Sequence, residues 1–301
     1  MKNMKQYLFD FMINGGYTED EMAALLSAFD TFSLRAGDLL AGMMHAYEAD
    51  MHCDLLAQME MLTARAEEIG LHPYTLHLLL FLCHTRAART YYEIKGIDLS
   101  IYNDTFADLK YKLRECRLVK GIFGTFVGAW FVRHFWLERF ALGRLQFETE
   151  PFGHHYEKNG HVLTPHDERI TLHIPRSLKP FDAEARRDSY RRAVDFFGCR
   201  DWDHPVAFTC HSWLLYPPMA EALNKTSNTY SFYKEFYIAS IEPNEKGHGD
   251  LWRLFDMDEP ENLADLPADT SMRRAIRDFV LAGNRTGEAL GIFFADEAGL
   301  L

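Results

Sequence analysis

The stretch Ile170-Thr-Leu-His-Ile-Pro175, followed by Arg-Ser-Leu-Lys-Pro-Phe-Asp182, decides the fold of this chain. Residues 170–174 are rich in β-branched and aliphatic side chains, and Pro175 ends them, because proline cannot donate to a ladder. Asp182 then supplies a side-chain acceptor for orphan amides and opens a helix to Phe197, with Tyr190, Val194 and Phe197 on one face. A third segment, 206–215, again reads as strand. Strands alternating with helices in this way imply a mixed sheet with crossovers.

The same texture extends on both sides. Leu145-Gln-Phe-Glu-Thr alternates as a half-buried strand does, and residues 153–167 form a polar loop rich in His and Gly. Pro217-Pro-Met-Ala-Glu-Ala-Leu starts a short helix, with proline in its permitted first turn. Residues 230–241 are expected as a long strand, 270–282 as a helix ending at Gly283, and 289–294 as a last strand.

Before residue 135 the reading is helical throughout. Thr18-Glu-Asp-Glu21 has the form of a capping box, with Met22, Leu25, Leu26 and Phe29 at helical spacing behind it. Residues 39–69 carry apolar side chains every three or four positions and stop at Gly70; His72-Pro73 opens a further helix. Segments 104–118 and 126–140 are read as two more. The predicted organisation is an all-helical domain over 1–135 packed on a mixed α/β domain over 136–301, hence α+β.

Composition narrows the function. The 301 residues include 44 Asp and Glu against 32 Lys and Arg, a formal charge of −12. Such a field repels phosphate backbones, so nucleic acid is not an expected partner. The five cysteines, Cys53, Cys83, Cys116, Cys199 and Cys210, are widely spaced with no Cys-x-x-Cys, which fits a reducing compartment and argues against a cysteine zinc site. The longest mostly apolar run, 121–132, is shorter than the roughly 20 residues that span a bilayer. A cytoplasmic protein without a membrane span is expected.

Three phrases, Leu142-Gly-Arg-Leu-Gln-Phe-Glu148, Leu172-His-Ile-Pro175 and Cys210-His-Ser-Trp-Leu-Leu215, with Leu266-Pro-Ala-Asp-Thr-Ser271 before a basic-aliphatic helix, resemble the GNAT-like acyltransferase C-terminal domain. In that family it follows a helical N-terminal acyltransferase domain, and residues 1–135 match in length and helicity. The resemblance implies acyl transfer from acetyl-CoA or another acyl-CoA, without a metal, to a small-molecule or peptide amine or hydroxyl. It implies that the CoA pyrophosphate rests on the loop after the strand, at Ile174, Arg176, Ser177, Leu178 and Lys179, where unpaired amides and a helix N-terminus attract anions. This loop departs from the family's glycine-rich signature. It has no glycine, Pro175 and Pro180 remove two amides, and Asp182 adds negative charge.

His173 and His211 are the candidate bases, on two strands that splay apart in the GNAT fold, and Tyr216 is the candidate acid. A backbone N–H near Ile174 is the expected polariser of the thioester carbonyl. Glu148 and Glu150 are further base candidates. Cys210 and His211 adjoin in sequence, so on one strand they face opposite ways and cannot act together. Two other readings stay open: a binding protein that kept the fold without catalysis, and a thiol-based acyltransferase or hydrolase using Cys210. His154, His155, His161 and His166 share one loop, yet lack the spacing of known zinc sites and read as a flexible loop. The methionine stripe of 43–61 reads as bundle core.

Overall fold

The computed structural model describes residues 2–158 and 160–301 and divides the chain into two compact units, 1–141 and 142–301. The first is helical: α1 (Lys2–Asn14), α2 (Glu19–Ala49), α3 (Leu55–Ala64), α4 (Ala66–Ile69), α5 (Pro73–Ile94), α6 (Leu99–Lys120) and α7 (Val132–Phe135). Strand β1 (Arg139–Leu142) lies at the division. The capping box is present, the Glu21 amide donating to Thr18 Oγ1 at 3.3 Å and the Thr18 amide to Glu21 Oε2 at 2.7 Å.

The helix expected over 39–69 is broken. Asp50 ends α2, and Asp54 caps α3 by accepting from the Ala57 amide at 2.9 Å. A short polar side chain that can bond nearby amides favours a cap over a helix interior. The helix expected over 126–140 shrinks to a 3₁₀ turn, Gly128–Phe131, and α7, because Leu137 turns left-handed at φ 55°. Helix α5 is buried from Thr75 to Thr85, which is why its apolar residues run on all sides rather than in one stripe.

The second unit holds β2 (Leu145–Pro151), β3 (Tyr156–Lys158), β4 (His161–Leu163), β5 (Glu168–His173), α8 (Ala183–Phe196), β6 (Ala207–Ser212), α9 (Pro217–Ala222), α10 (Asn228–Tyr233), β7 (Tyr237–Pro243), α11 (Leu251–Phe255), α12 (Ser271–Leu281) and β8 (Gly287–Phe294). Its sheet runs β2-β5-β6-β8-β7, with β5 and β6 parallel and their neighbours antiparallel. Two expectations change. The loop over 153–167 contains the hairpin β3–β4. Residues 230–241 are not one strand: Ser227 accepts from the Tyr230 amide at 3.1 Å and starts α10 before β7 begins. Aromatic content favoured strand there, and the cap prevails because strand preference reflects packing rather than backbone.

One face of this sheet is apolar. Phe147, Leu172, Phe208 and Phe293 are buried, and Tyr190 of α8 packs on three of them with ring centroids 5.0–6.4 Å away. Gly143, at φ 79°, lets the chain approach α8; an added Cβ would lie 2.8 Å from Ser189 Oγ, which accepts from the Arg144 amide at 2.7 Å. The opposite face divides in two. At one end Ala207, Ile292 and Phe294 form an apolar cluster with Phe152, Leu163 and Tyr156, so β3–β4 covers it. The other end carries the polar residues considered next.

Candidate active site

The ladder between β5 and β6 comprises Arg169↔Ala207, Ile170↔Phe208 and Thr171↔Thr209. Both strands run on past it, to His173 and Ser212. Pleat alternation from the Thr171↔Thr209 pair puts His173 and His211 on the same sheet face, one on each side of the opening. The structure therefore brings the two candidate histidines to one locus. Between them and the covered end lies a polar row: Thr171 Oγ1 contacts Thr209 Oγ1 at 3.1 Å and donates to Glu150 Oε1 at 2.7 Å, and Arg169 donates to the same oxygen at 2.8 Å.

The two histidines differ in company. His173 Nε2 lies 2.7 Å from Oε1 of Glu148, a buried carboxylate of β2. His211 is 43% exposed, with Nδ1 3.4 Å from Glu288 Oε2 and Nε2 3.5 Å from Glu242 Oε2. Glu288 and Glu242 are opposite each other in the β7–β8 register, two carboxylates side by side. Burial first, then the hydrogen bond and charge of Asp250, push the Glu288 carboxyl above the usual carboxylate range, while His211 and Arg253 pull it back. Composition and spacing gave no hint of Glu242, Asp250 and Glu288. The signal available was the alternation from Glu288 to Leu290 on a strand whose partner was unknown.

Tyr216 is 6% exposed and belongs to an apolar cluster with Met219, Leu251, Phe255 and Ile276. Its ring also touches Gly287, where an added Cβ would sit 2.9 Å from the Tyr216 ring and 2.6 Å from the Glu242 carbonyl oxygen. Cys210 is buried on the face opposite His211, and burial pushes its thiol far above the ordinary value.

The loop after β5 is held by side chains. Arg144 donates to the Pro175 carbonyl at 3.0 Å and the Lys179 carbonyl at 3.1 Å, the Ser177 amide donates to the Pro175 carbonyl at 2.8 Å, and Arg176 pairs with Asp256. Ile174 follows His173 directly, Leu178 is 94% exposed, and the Ser177 hydroxyl is buried without a hydrogen-bond partner. Asp182 caps α8 by accepting from the Ala185 amide at 2.9 Å. Among the described residues no group of three or more His, Cys, Asp or Glu could hold a metal ion, and no helix is long and apolar enough to cross a membrane. His161 stacks on Phe294 with centroids 3.8 Å apart and has Glu297 at 3.3 Å.

The family model of a GNAT-like C-terminal domain matches residues 140–293, and that of an N-acyltransferase N-terminal domain matches residues 17–137. The chain belongs to the GNAT-like acyltransferases built from these two domains. Among solved structures it is similar to an acyltransferase in complex with decanoyl-CoA, at 26% identity and a TM-score of 0.60 over 73% of this chain and 66% of that one. An acyltransferase mutant in complex with octanoyl-CoA shares the fold at 21% identity, with a TM-score of 0.73 over 96% of this chain and 88% of that one. An acyltransferase in complex with decanoyl-CoA and teicoplanin shares it at 20% identity, with a TM-score of 0.64 over 95% and 99%. Comparison with curated proteins found no match.

Proposed function

We propose that the protein transfers an acyl group from acyl-CoA to an amine or hydroxyl by direct attack in a ternary complex. The observation that carries this reading is the parting of β5 and β6 beyond Thr171↔Thr209, with His173 and His211 facing the same side of the opening. An acyl thioester lying in that opening meets an exposed imidazole without needing a covalent nucleophile. His211 takes the proton from the acceptor as its nitrogen or oxygen bonds to the thioester carbonyl carbon. The C–S bond then breaks, and the imidazolium returns the proton to the departing CoA thiolate. His173, held by Glu148, is the second base candidate, and this scheme does not call on Tyr216. A backbone amide near Ile174 polarises the carbonyl, and residues 174–179 receive the pyrophosphate, with Arg176 and Lys179 supplying charge. Medium-chain acyl-CoAs are the first donors to test, because similar acyltransferase structures hold decanoyl- and octanoyl-CoA.

Calorimetry with acetyl-, octanoyl- and decanoyl-CoA tests the donor. Saturable binding weakened by Arg176→Glu is expected; no binding of any of the three at millimolar concentration would overturn the reading. Binding without turnover of any amine or alcohol would instead favour a non-catalytic protein, a reading that the glycine-free loop, with two carbonyls engaged by Arg144, also supports.

A further inference from the structure

Arg176, assigned above to the donor diphosphate, is paired with Asp256 at the C-terminal end of α11. We infer that Asp256 is an intramolecular competitor for Arg176: it holds the guanidinium until the donor diphosphate displaces it, and its charge thereby sets donor affinity. The inference rests on the reading that residues 174–179 receive an acyl-CoA diphosphate, while competition with an anion stands on the pair itself.

A brace and a competitor predict opposite effects, and the surroundings of the pair distinguish them. A brace holds backbone that nothing else holds, yet here both backbones are fastened independently. Arg144 donates to the carbonyls of Pro175 and Lys179 at 3.0 and 3.1 Å, on either side of Arg176. The Asp256 amide donates to the Trp252 carbonyl at 3.0 Å. Arg273 of α12 donates through Nε to the Leu254 carbonyl at 2.9 Å and through a second nitrogen to Oδ2 of Asp256 at 2.5 Å. Asp256 thus turns one oxygen to Arg273 and the other to Arg176. When Arg176 leaves, the carboxylate keeps a charged partner, so the exchange orphans no charge, which is the costly outcome for an ion pair. Arg273 also keeps Asp269, at 3.0 Å.

The exposure of the two side chains, 38% for Arg176 and 18% for Asp256, fits an exchangeable pair. Water screens such a pair and leaves it weak, whereas a diphosphate offers a guanidinium more charge and several oxygens in bidentate geometry. The apparent donor affinity is then the intrinsic one reduced to the fraction of molecules in which Arg176 is released. Asp256 itself stands at φ 61°, in the left-handed region that asparagine also adopts, so Asp256→Asn removes the charge and keeps the shape.

The test is calorimetry on the full chain with decanoyl-CoA and, separately, with inorganic pyrophosphate. Asp256→Asn is expected to bind both about 2- to 5-fold more tightly than the unaltered chain, the range that a partly exposed ion pair supports. The gain should vanish when Asp256→Asn is combined with Arg176→Gln, a double-mutant cycle that isolates the pair. Asp269→Asn, which removes a charge paired with Arg273 rather than Arg176, should leave both affinities unchanged, and circular dichroism checks that each variant is folded. Equal or weaker binding in folded Asp256→Asn, a gain that survives with Arg176→Gln, or an equal gain in Asp269→Asn overturns the proposal. If decanoyl-CoA binds Asp256→Asn and the unaltered chain alike, the competition falls and the donor reading stands. If pyrophosphate follows the expected pattern while decanoyl-CoA binds no variant, the competition stands and the acyl-transfer reading falls. No binding of either probe overturns both.

Discussion

Single residues in this protein are decided by what surrounds them. His84 is 1% exposed, its ring tilted against Tyr47 with centroids 4.7 Å apart, and its Nε2 lies 3.0 Å from Gln58 Oε1. Burial lowers its pKa to about 3, so it is neutral in the native state at every pH above that value. The unfolded chain, with an ordinary imidazole, binds the extra proton below about pH 6.5. Its contribution to stability is therefore complete above that pH and falls by about 1.4 kcal/mol for each unit of acidification down to the native value. The urea midpoint is expected to drop between pH 7 and pH 5, and His84→Gln should remove part of that slope. A slope identical in the variant would place the acid sensitivity elsewhere. The pair Cys210 and His211 makes a second residue-scale test. His211→Ala should lower kcat by roughly 10²-fold or more, the usual loss for a general base, and Cys210→Ala should keep most activity. A protein-bound acyl thioester, lost in Cys210→Ala, would reverse that assignment.

At the scale of elements, the site depends on where β8 begins. Gly287 is the first residue of that strand and lies against the Glu242 carbonyl oxygen, Pro243 and the Tyr216 ring. A methyl group there meets backbone 2.6 Å away, so the β7–β8 end must shift. Gly287→Ala is expected to cost about 1–3 kcal/mol, the range for overpacking, while leaving decanoyl-CoA affinity unchanged. Urea denaturation and a decanoyl-CoA titration check this. The start of α2 offers a control remote in sequence: Thr18→Ala removes the acceptor for the Glu21 amide and should cost about 1 kcal/mol without touching ligand affinity.

For the whole molecule, ligand linkage supplies the measurement. If acyl-CoA binds only the native state, decanoyl-CoA at 100 times its Kd should stabilise the chain by about 2.7 kcal/mol, raising Tm by several degrees. An unchanged Tm alongside calorimetric silence would count against the donor proposal. At this scale too, the shares of sequence and tertiary structure separate. The helical first part, the strand-loop-helix-strand order around residues 170–215, the Thr18 capping box and the opposed facing of Cys210 and His211 were legible in the sequence. Each depends on local periodicity, capping chemistry or the pleat, which act over a few residues. The placing of His173 and His211 on adjoining strands was expected too, though only through the family likeness. What tertiary structure alone decided has a common cause. Whether 39–69 was one helix or several, whether 230–241 was one strand or a helix and a strand, and that Glu242, Glu288 and Asp250 meet beside His211, all turn on neighbours distant in the chain. Strand pairing and register put Glu242 and Glu288 opposite each other across 45 intervening residues, and no local pattern encodes a register between strands.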